Sequence, residues 1–411
     1  MPEVSFTGLL IVVAVGFAAP LLLGMFPRLR LPSVVLEIVA GIVIGPSILG
    51  WVERDVAIDI LGLVGLGFLL FLAGLEVELD RFRGRFLQRS VLALALSFAL
   101  SLLAGFGLYA AGLVETPLFV AIILLATSLG LVVPVLKDTG ESGSAFGQLA
   151  IAAAALADFA AVILLSLFFA RAPIGTGAQL VLLGSFVAVV AGVGFGLARA
   201  GRSRAVSGAL LRLQDTTAQI RVRGAVVLMI GLVALAQVLG LEVILGAFMA
   251  GALLKVVDRD LMMTHPHFHL KLEAIGFGFL IPVFFVASGL SFELAALFES
   301  VSAAVRIPVF LLGLLLVRGL PALLYRRDIG ARRTLAAGLL QATSLPFIVA
   351  AAQIGMELEV ISPATGAALV AAGLLSVLIF PLVALTVLRG GGQAEPAPEG
   401  RELMEAMGSE T

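Results

Sequence analysis

Residues 124–130 read Leu-Leu-Ala-Thr-Ser-Leu-Gly, and residues 340–346 read Leu-Gln-Ala-Thr-Ser-Leu-Pro. Each stretch lies inside a long apolar segment, with Thr127 and Thr343 216 residues apart. Each puts a hydroxyl pair in mid-segment and follows it with a helix breaker. A proline within a helix removes one hydrogen bond and clashes with an earlier carbonyl. In hydrocarbon the freed backbone groups must find partners, so such a break survives only inside protein or beside a water-filled cavity. Transporters use these interruptions, because unwound carbonyls and hydroxyls bind cations and helix ends supply partial charges. A simple proline kink would account for one such span. Two related ones point to unwound segments that cross.

The composition agrees. The chain of 411 residues is 61% hydrophobic and 13% charged, with a mean hydropathy of +1.16. Soluble domains carry about 25% charged residues, so this is an integral membrane protein. Continuous apolar runs, rather than alternating ones, indicate helices and not a barrel. Thirteen spans are predicted, near 5–26, 32–50, 56–77, 90–113, 116–136, 145–170, 176–198, 224–241, 243–257, 272–291, 301–325, 334–355 and 361–388. The membrane domain thus covers 1–389, with a first repeat at about 5–170, a linker helix at 176–198 and a second repeat at 224–388. Residues 202–220 read as an amphipathic connector at the interface. The polar stretch 390–411 reads as a disordered cytoplasmic tail, too short for a nucleotide-binding domain. The start has no basic region or cleavage site, so the first span is expected to stay in the membrane. With no cysteine there are no disulfides or thiolate metal sites, and no cofactor is expected. A net charge of −1 argues against a nucleic-acid partner.

Basic residues test the span count. Threaded through thirteen spans, Arg54, Arg171 and Arg306 fall on one side and Arg318 falls within a span. The other 22 of the 26 Lys and Arg fall on the opposite side. A miscounted span would scramble that asymmetry. The expected arrangement is a multi-pass protein of the cell (inner) membrane, with the N-terminus outside and the C-terminus cytoplasmic.

The Thr-Ser match has company. Gly74-Leu-Glu-Val-Glu-Leu79 recurs as Gly289-Leu-Ser-Phe-Glu-Leu294, and Glu37 with its following glycines resembles Glu242 with its own. These matches pair spans 2 with 9, 3 with 10 and 5 with 12. Each pair is seven spans apart, so the two copies cross the membrane in opposite directions. Inverted repeats are a signature of secondary transporters. Recurrent small residues that permit close helix packing are the plainer explanation of any one match.

Charges deep in a membrane are costly and functional by default. Asp158 lies near the middle of the sixth span, directly after the first broken helix, and Arg318 lies deep in the eleventh, directly before the second. Desolvation favours the neutral form of a carboxylate, and the same oxygens can hold a dehydrated alkali cation. One site with two competing occupants suffices for exchange. Thr127, Ser128, Thr343 and Ser344 are the supporting ligands expected around Asp158. Arg318 stays protonated and reads as a counter-charge, or as a donor to freed carbonyls. Glu37 is a further candidate, although packing or capping explains it equally well. Glu76, Glu78 and Glu293 sit at span ends and read as interfacial. His265, His267 and His269 read as a solvated cytoplasmic loop with no carboxylate or thiolate ligand set.

Four stretches now carry a family resemblance. They are Glu37-Ile-Val-Ala-Gly-Ile-Val-Ile-Gly-Pro-Ser-Ile-Leu-Gly50, Phe68-Leu-Leu-Phe-Leu-Ala-Gly-Leu-Glu76, Leu245-Gly-Ala-Phe-Met-Ala-Gly251 and Ile281-Pro-Val-Phe-Phe-Val-Ala-Ser-Gly-Leu290. In this order they resemble the monovalent cation:proton antiporter superfamily, in particular its Kef-like branch. The resemblance implies an all-α, thirteen-helix homodimer with a dimerisation panel, an ion-binding core and two crossed broken helices. It also implies an aspartate matching Asp158 and a basic residue matching Arg318. Ala157 replaces the polar residue that members commonly carry before the aspartate. Ser344-Leu-Pro-Phe347 replaces a Gly-Glu-Phe stretch.

The expected activity is exchange of a monovalent cation (Na⁺ or K⁺) for H⁺, electroneutral at one for one, and not an enzymatic reaction. The competing reading is a sodium-coupled symporter of an organic anion, which needs a polar cavity beside the broken helices. An intramembrane aspartyl protease needs two paired carboxylates, and only Asp158 lies clearly at mid-span. A passive channel would differ in needing no counterflow.

Overall fold

Inside a bilayer each backbone N–H and C=O must be bonded by the chain itself, and the segments obey. The computed structural model describes residues 5–26, 32–76, 84–169, 176–201, 203, 208, 212–213, 216–260, 266–297 and 301–389, and these are helical with no strand among them. The tail after Arg389, most of the 202–220 connector, Glu78 and His265 lie outside the described residues.

The first half comprises α1 (Phe6–Met25), α2 (Ser33–Ile44), α3 (Val56–Leu75), α4 (Gly84–Ala110), α5 (Pro117–Leu125), α6 (Leu129–Asp138), α7 (Ala145–Phe168) and α8 (Thr176–Gly201). The second comprises α9 (Ile220–Val238), α10 (Val243–Asp260), α11 (Pro266–Ile275), α12 (Ile281–Leu290), α13 (Val301–Leu314), α14 (Arg326–Gln341), α15 (Pro346–Glu357) and α16 (Pro363–Arg389). A π turn at Gly276–Leu280 joins α11 to α12. A π turn at Leu315–Gly319 and a 3₁₀ stretch at Leu320–Tyr325 extend α13.

Among the described residues nine helical runs are long and apolar enough to cross a membrane. Eight are single passes. The ninth, Ser302–Glu357, holds two, because Gly330 at φ 75° turns the chain back on itself. The short helices Ser33–Ile44 and Val243–Val257 and the interrupted α5–α6 pair bring the passes to thirteen. The second span is shorter than the expected 32–50. Its helix stops at Ile44, ahead of Gly45-Pro46, and Gly50 (φ 61°) helps fold the remainder into turns. Asp55 caps α3, accepting from the Ile58 N–H at 2.9 Å and the Ser5 N–H at 2.7 Å. Those bonds hold its carboxyl below the usual range.

The helices pack as two bodies. α2 lies on α12 and α3 on α10, with α1 and α9 alongside, forming a panel. The other body, a core, gathers α4–α7 and α13–α16, and α8 touches both α7 and α10. Glycines set the panel's closest approaches. A Cβ on Gly41 would overlap the Val286 carbonyl and one on Gly289 the Ile38 carbonyl, while Gly74 and Gly251 exclude a Cβ in the same reciprocal way. Gly74 and Gly289 are repeat counterparts, so their partners Gly251 and Gly41 must be as well. That sets the second span against the ninth at 210 residues (41 to 251), so Glu37 corresponds to Ala247 and not to Glu242. The weak sequence match was out of register.

Candidate ion-binding site

Two unwound stretches meet within the core. Residues 126–128 separate α5 from α6, and residues 343–345 separate α14 from α15. The Ser128 N–H donates to the Thr343 carbonyl at 2.9 Å, so the broken helices cross and are tied by backbone. All the residues from Phe119 to Ser128 are buried. Backbone groups at both breaks thus have partners in protein, as the bilayer demands.

Asp158 approaches this crossing from α7. Its carboxylate accepts from the Thr127 N–H at 3.1 Å through Oδ1, and from the Leu129 N–H at 3.2 Å through Oδ2. Leu129 opens α6, so the carboxylate sits at the positive end of that helix. Its outer face lines a cavity of about 220 Å³. The cavity runs inward from Ser33 at the start of α2 and Glu76 at the end of α3, past Glu37, to Ser128 and Asp158.

Arg318 is 1% exposed and projects from the π turn of the eleventh span. Its Nε donates to Thr127 Oγ1 at 2.7 Å, and its terminal nitrogens donate to Ser97 Oγ at 3.0 Å and the Ala153 carbonyl at 3.2 Å. Thr127 Oγ1 in turn donates to the Gln341 carbonyl at 2.8 Å. Thr127 therefore links everything: its amide holds Asp158, and its hydroxyl joins the guanidinium to a carbonyl freed by the second break. Among the described residues no ion pair joins Arg318 to Asp158; the two charges meet through Thr127.

The four expected hydroxyls thus divide. Thr127 and Ser128 both line the cavity. The Thr127 hydroxyl is occupied by Arg318 and Gln341. The Thr343 hydroxyl donates back to the Leu339 carbonyl at 3.1 Å. The Ser344 N–H and C=O are bonded to Ser376 Oγ on α16, at 3.2 and 3.0 Å. Neither Thr343 nor Ser344 lines the cavity. Glu37 does line it; it is 3% exposed and bonded to Ser33, one helical turn earlier.

Glu76 closes α3 at a span end, as expected, and there it also lines the same cavity. The signal was present in Gly74-Leu-Glu-Val-Glu-Leu79: its repeat counterpart is Ser291, so the acid belongs to one half alone. His269 differs from expectation. It lies on a helix, not a loop, with Nδ1 3.1 Å from Glu273 Oε1 one turn on.

The chain is 34% identical over 398 residues to YjbQ of Bacillus subtilis, covering 93% of this chain and 63% of that protein. It is 30% identical over 275 residues to the Na⁺/H⁺-K⁺ antiporter GerN of Bacillus cereus, covering 64% and 66% of the two chains. The chain therefore spans a little under two thirds of these relatives' lengths. The structure of the sodium proton antiporter MjNhaP1 from Methanocaldococcus jannaschii at pH 8 superimposes with a TM-score of 0.63 at 17% identity, covering 94% of this chain and 99% of that one. That likeness establishes the fold. The model of the transmembrane sodium/hydrogen exchanger family matches residues 12–389, and the chain belongs to that family.

Proposed function

We propose that the protein is a secondary active transporter that exchanges a monovalent cation, Na⁺ or K⁺, for H⁺ by alternating access. A single observation carries this reading: the Asp158 carboxylate is held by two backbone amides of a broken helix while facing a cavity of about 220 Å³. Two amide donors fix the oxygens in place, so a cation or a proton can occupy their remaining lone pairs, but not both together. Ser128 completes the cation's shell with water, and Glu76 draws cations along the cavity. Arg318, bonded within the same body, is the counter-charge that lowers the cost of the bare carboxylate. With Ala157 in place of a second polar group, one site carries one charge either way, and exchange is electroneutral at one for one.

The charge asymmetry supports an N-terminus outside and a C-terminus in the cytoplasm. The cavity mouth, between the start of α2 and the end of α3, then faces the cytoplasm. The family resemblance adds a homodimer in the cell membrane, built through the panel. The anion-symporter reading finds less support, because the cavity walls are mostly apolar and offer carboxylates where an anion would bind.

The test is exchange in proteoliposomes with Na⁺, K⁺ and Li⁺ in turn, read by an internal pH dye. Cation-dependent proton movement is expected from the native chain, and none from Asp158→Asn. Robust pH-coupled flux from Asp158→Asn would end the assignment.

A further inference from the structure

The inner cavity has an outer counterpart, and it is closed. Ser288 on α12 is the repeat counterpart of Ala73, 215 residues earlier, and Ala73 lines the open inner cavity. At the matching place on the outer side, Ser288 Oγ accepts from Gln353 Nε2 at 3.0 Å. The space beside this bond, lined by Ser288, Gln353 and Val349, is about 20 Å³ against about 220 Å³ inside. A wider outer vestibule of about 340 Å³, with Arg54, Asp59 and Glu357 on its walls, ends at Gln353, Phe284 and Ala287. Neither outer space reaches Asp158.

The bond also joins the two bodies. Ser288 precedes Gly289, whose contact with Gly41 fixes α12 to α2 in the panel. Gln353 lies on α15, where Gly355 sits against the Phe119 ring, and just past that helix the Val360 carbonyl accepts from Thr116. It is therefore anchored in the core, seven residues beyond the break at Pro346, or about 10 Å along the helix. Other named bonds stay inside one body: Arg333 to Glu141 and Arg89 to Asp328 in the core, Arg54 to Ser291 and Ser47 to Phe292 in the panel.

We propose that Gln353 and Ser288 form the latch that keeps the outer route shut while the inner one is open. Gln353 is then a positioning residue for the transport cycle, an inference that rests on the alternating-access reading. For the site to face outward, α15 must part from α12, and this bond must break. Ser288 is well suited to that role. Its proton stays bonded to the Phe284 carbonyl at 2.7 Å, so only an acceptor is released. The freed Gln353 amide turns to water in the opening vestibule, so the latch adds to the closed state without stranding a polar group in the open one.

The chain has no cysteine, so single cysteines report accessibility without background. Ala73→Cys marks the inner cavity, and Val349→Cys, at a side chain 1% exposed, marks the closed outer side. Each is labelled with a membrane-impermeant maleimide from either face of sealed vesicles, with and without Gln353→Leu or Ser288→Ala. Each latch variant is expected to lower the ratio of Ala73→Cys to Val349→Cys labelling about two- to ten-fold, the worth of one partly buried hydrogen bond. The double variant should shift it no further than the larger single effect. An unchanged ratio, additive shifts, or equal gains at both positions from a loosened fold would overturn the latch. Failure of the exchange reading is separate: the native chain would move no protons with any of the three cations, whatever the labelling.

Discussion

Replacing Thr127 with valine removes the oxygen on which the site is assembled. The side-chain volume hardly changes, so the cost is polar. Arg318 Nε loses its 2.7 Å partner and the Gln341 carbonyl its 2.8 Å donor, both in a fully buried setting. A hydrogen bond to a charged group contributes about 1.5–3 kcal/mol, and a stranded neutral acceptor costs about 1–3 kcal/mol. The combined expectation is a loss of about 3–5 kcal/mol, large beside total stabilities of about 5–15 kcal/mol. Thr343→Val is the matched control. It loses one local bond to the Leu339 carbonyl, at 3.1 Å, and should cost about 1 kcal/mol. Thr127→Ser keeps the hydroxyl and should remain near native. The assay is thermal unfolding of the purified proteins in one detergent, paired with the cation dependence of exchange. Thr127→Val should unfold well below the other two and lose maximum rate as Arg318 drifts. If instead Thr127→Val and Thr343→Val were equally stable and both raised the half-saturating cation concentration, the hydroxyls would be ion ligands. The assignment of Thr127 as a structural link would then be wrong.

Competition at one carboxylate makes a second expectation: at acid pH, where the proton occupies the site, each further unit of acidity raises the half-saturating cation concentration up to ten-fold at constant maximum rate. A rate that fell without that rise, measured in proteoliposomes, would refute a shared site. At zero pH and cation gradients, a clamped potential should drive no proton movement above that of empty liposomes; movement through the protein would bring Glu37 or Glu76 into the cycle as a second titrating group. Gly251→Ala should destabilise by about 1–3 kcal/mol, the range for overpacking, because its Cβ would meet the Phe71 carbonyl, whereas Gly67→Ala meets nothing within 4 Å. Equal unfolding temperatures for the two would mean that α3 and α10 do not depend on that close approach.

The architecture was legible because the bilayer enforces it. Apolar runs, two Thr-Ser breaks and the one-sided arginines located the passes, and the two isolated mid-span charges, Asp158 and Arg318, pointed to the candidate site. Side-chain direction was less legible. In an unwound stretch neither a period of 3.6 nor one of 2 says where a hydroxyl points. Ser128 and Thr127 therefore looked alike, although both line the cavity and only the Thr127 hydroxyl is taken up by Arg318 and the Gln341 carbonyl. Glu76 sits at a span end, and only the fold shows that the cavity carries its mouth to that end of α3. The Glu37–Glu242 match failed because Ala-Gly pairs recur often enough to align in more than one register, and only the reciprocal glycine contacts chose between them. The Gln353–Ser288 bond joins residues 65 apart on separate bodies. No local pattern announces it.

The three bonds that tie Arg318 to Thr127, Ser97 and Ala153 have an electrical consequence. A guanidinium fastened to the same body as Asp158 shares whatever displacement that body makes. Under the proposed exchange, the body with an ionised Asp158 then moves as a neutral unit, and with either a cation or a proton aboard it moves as a unit of charge +1. The two loaded strokes run in opposite directions, so their electrical work cancels over a full turn. Each stroke taken alone still feels the field. Membrane voltage would therefore tilt the pace of the individual strokes, and hence the turnover number, while leaving the final ion distribution untouched: a carrier that senses voltage without drawing current.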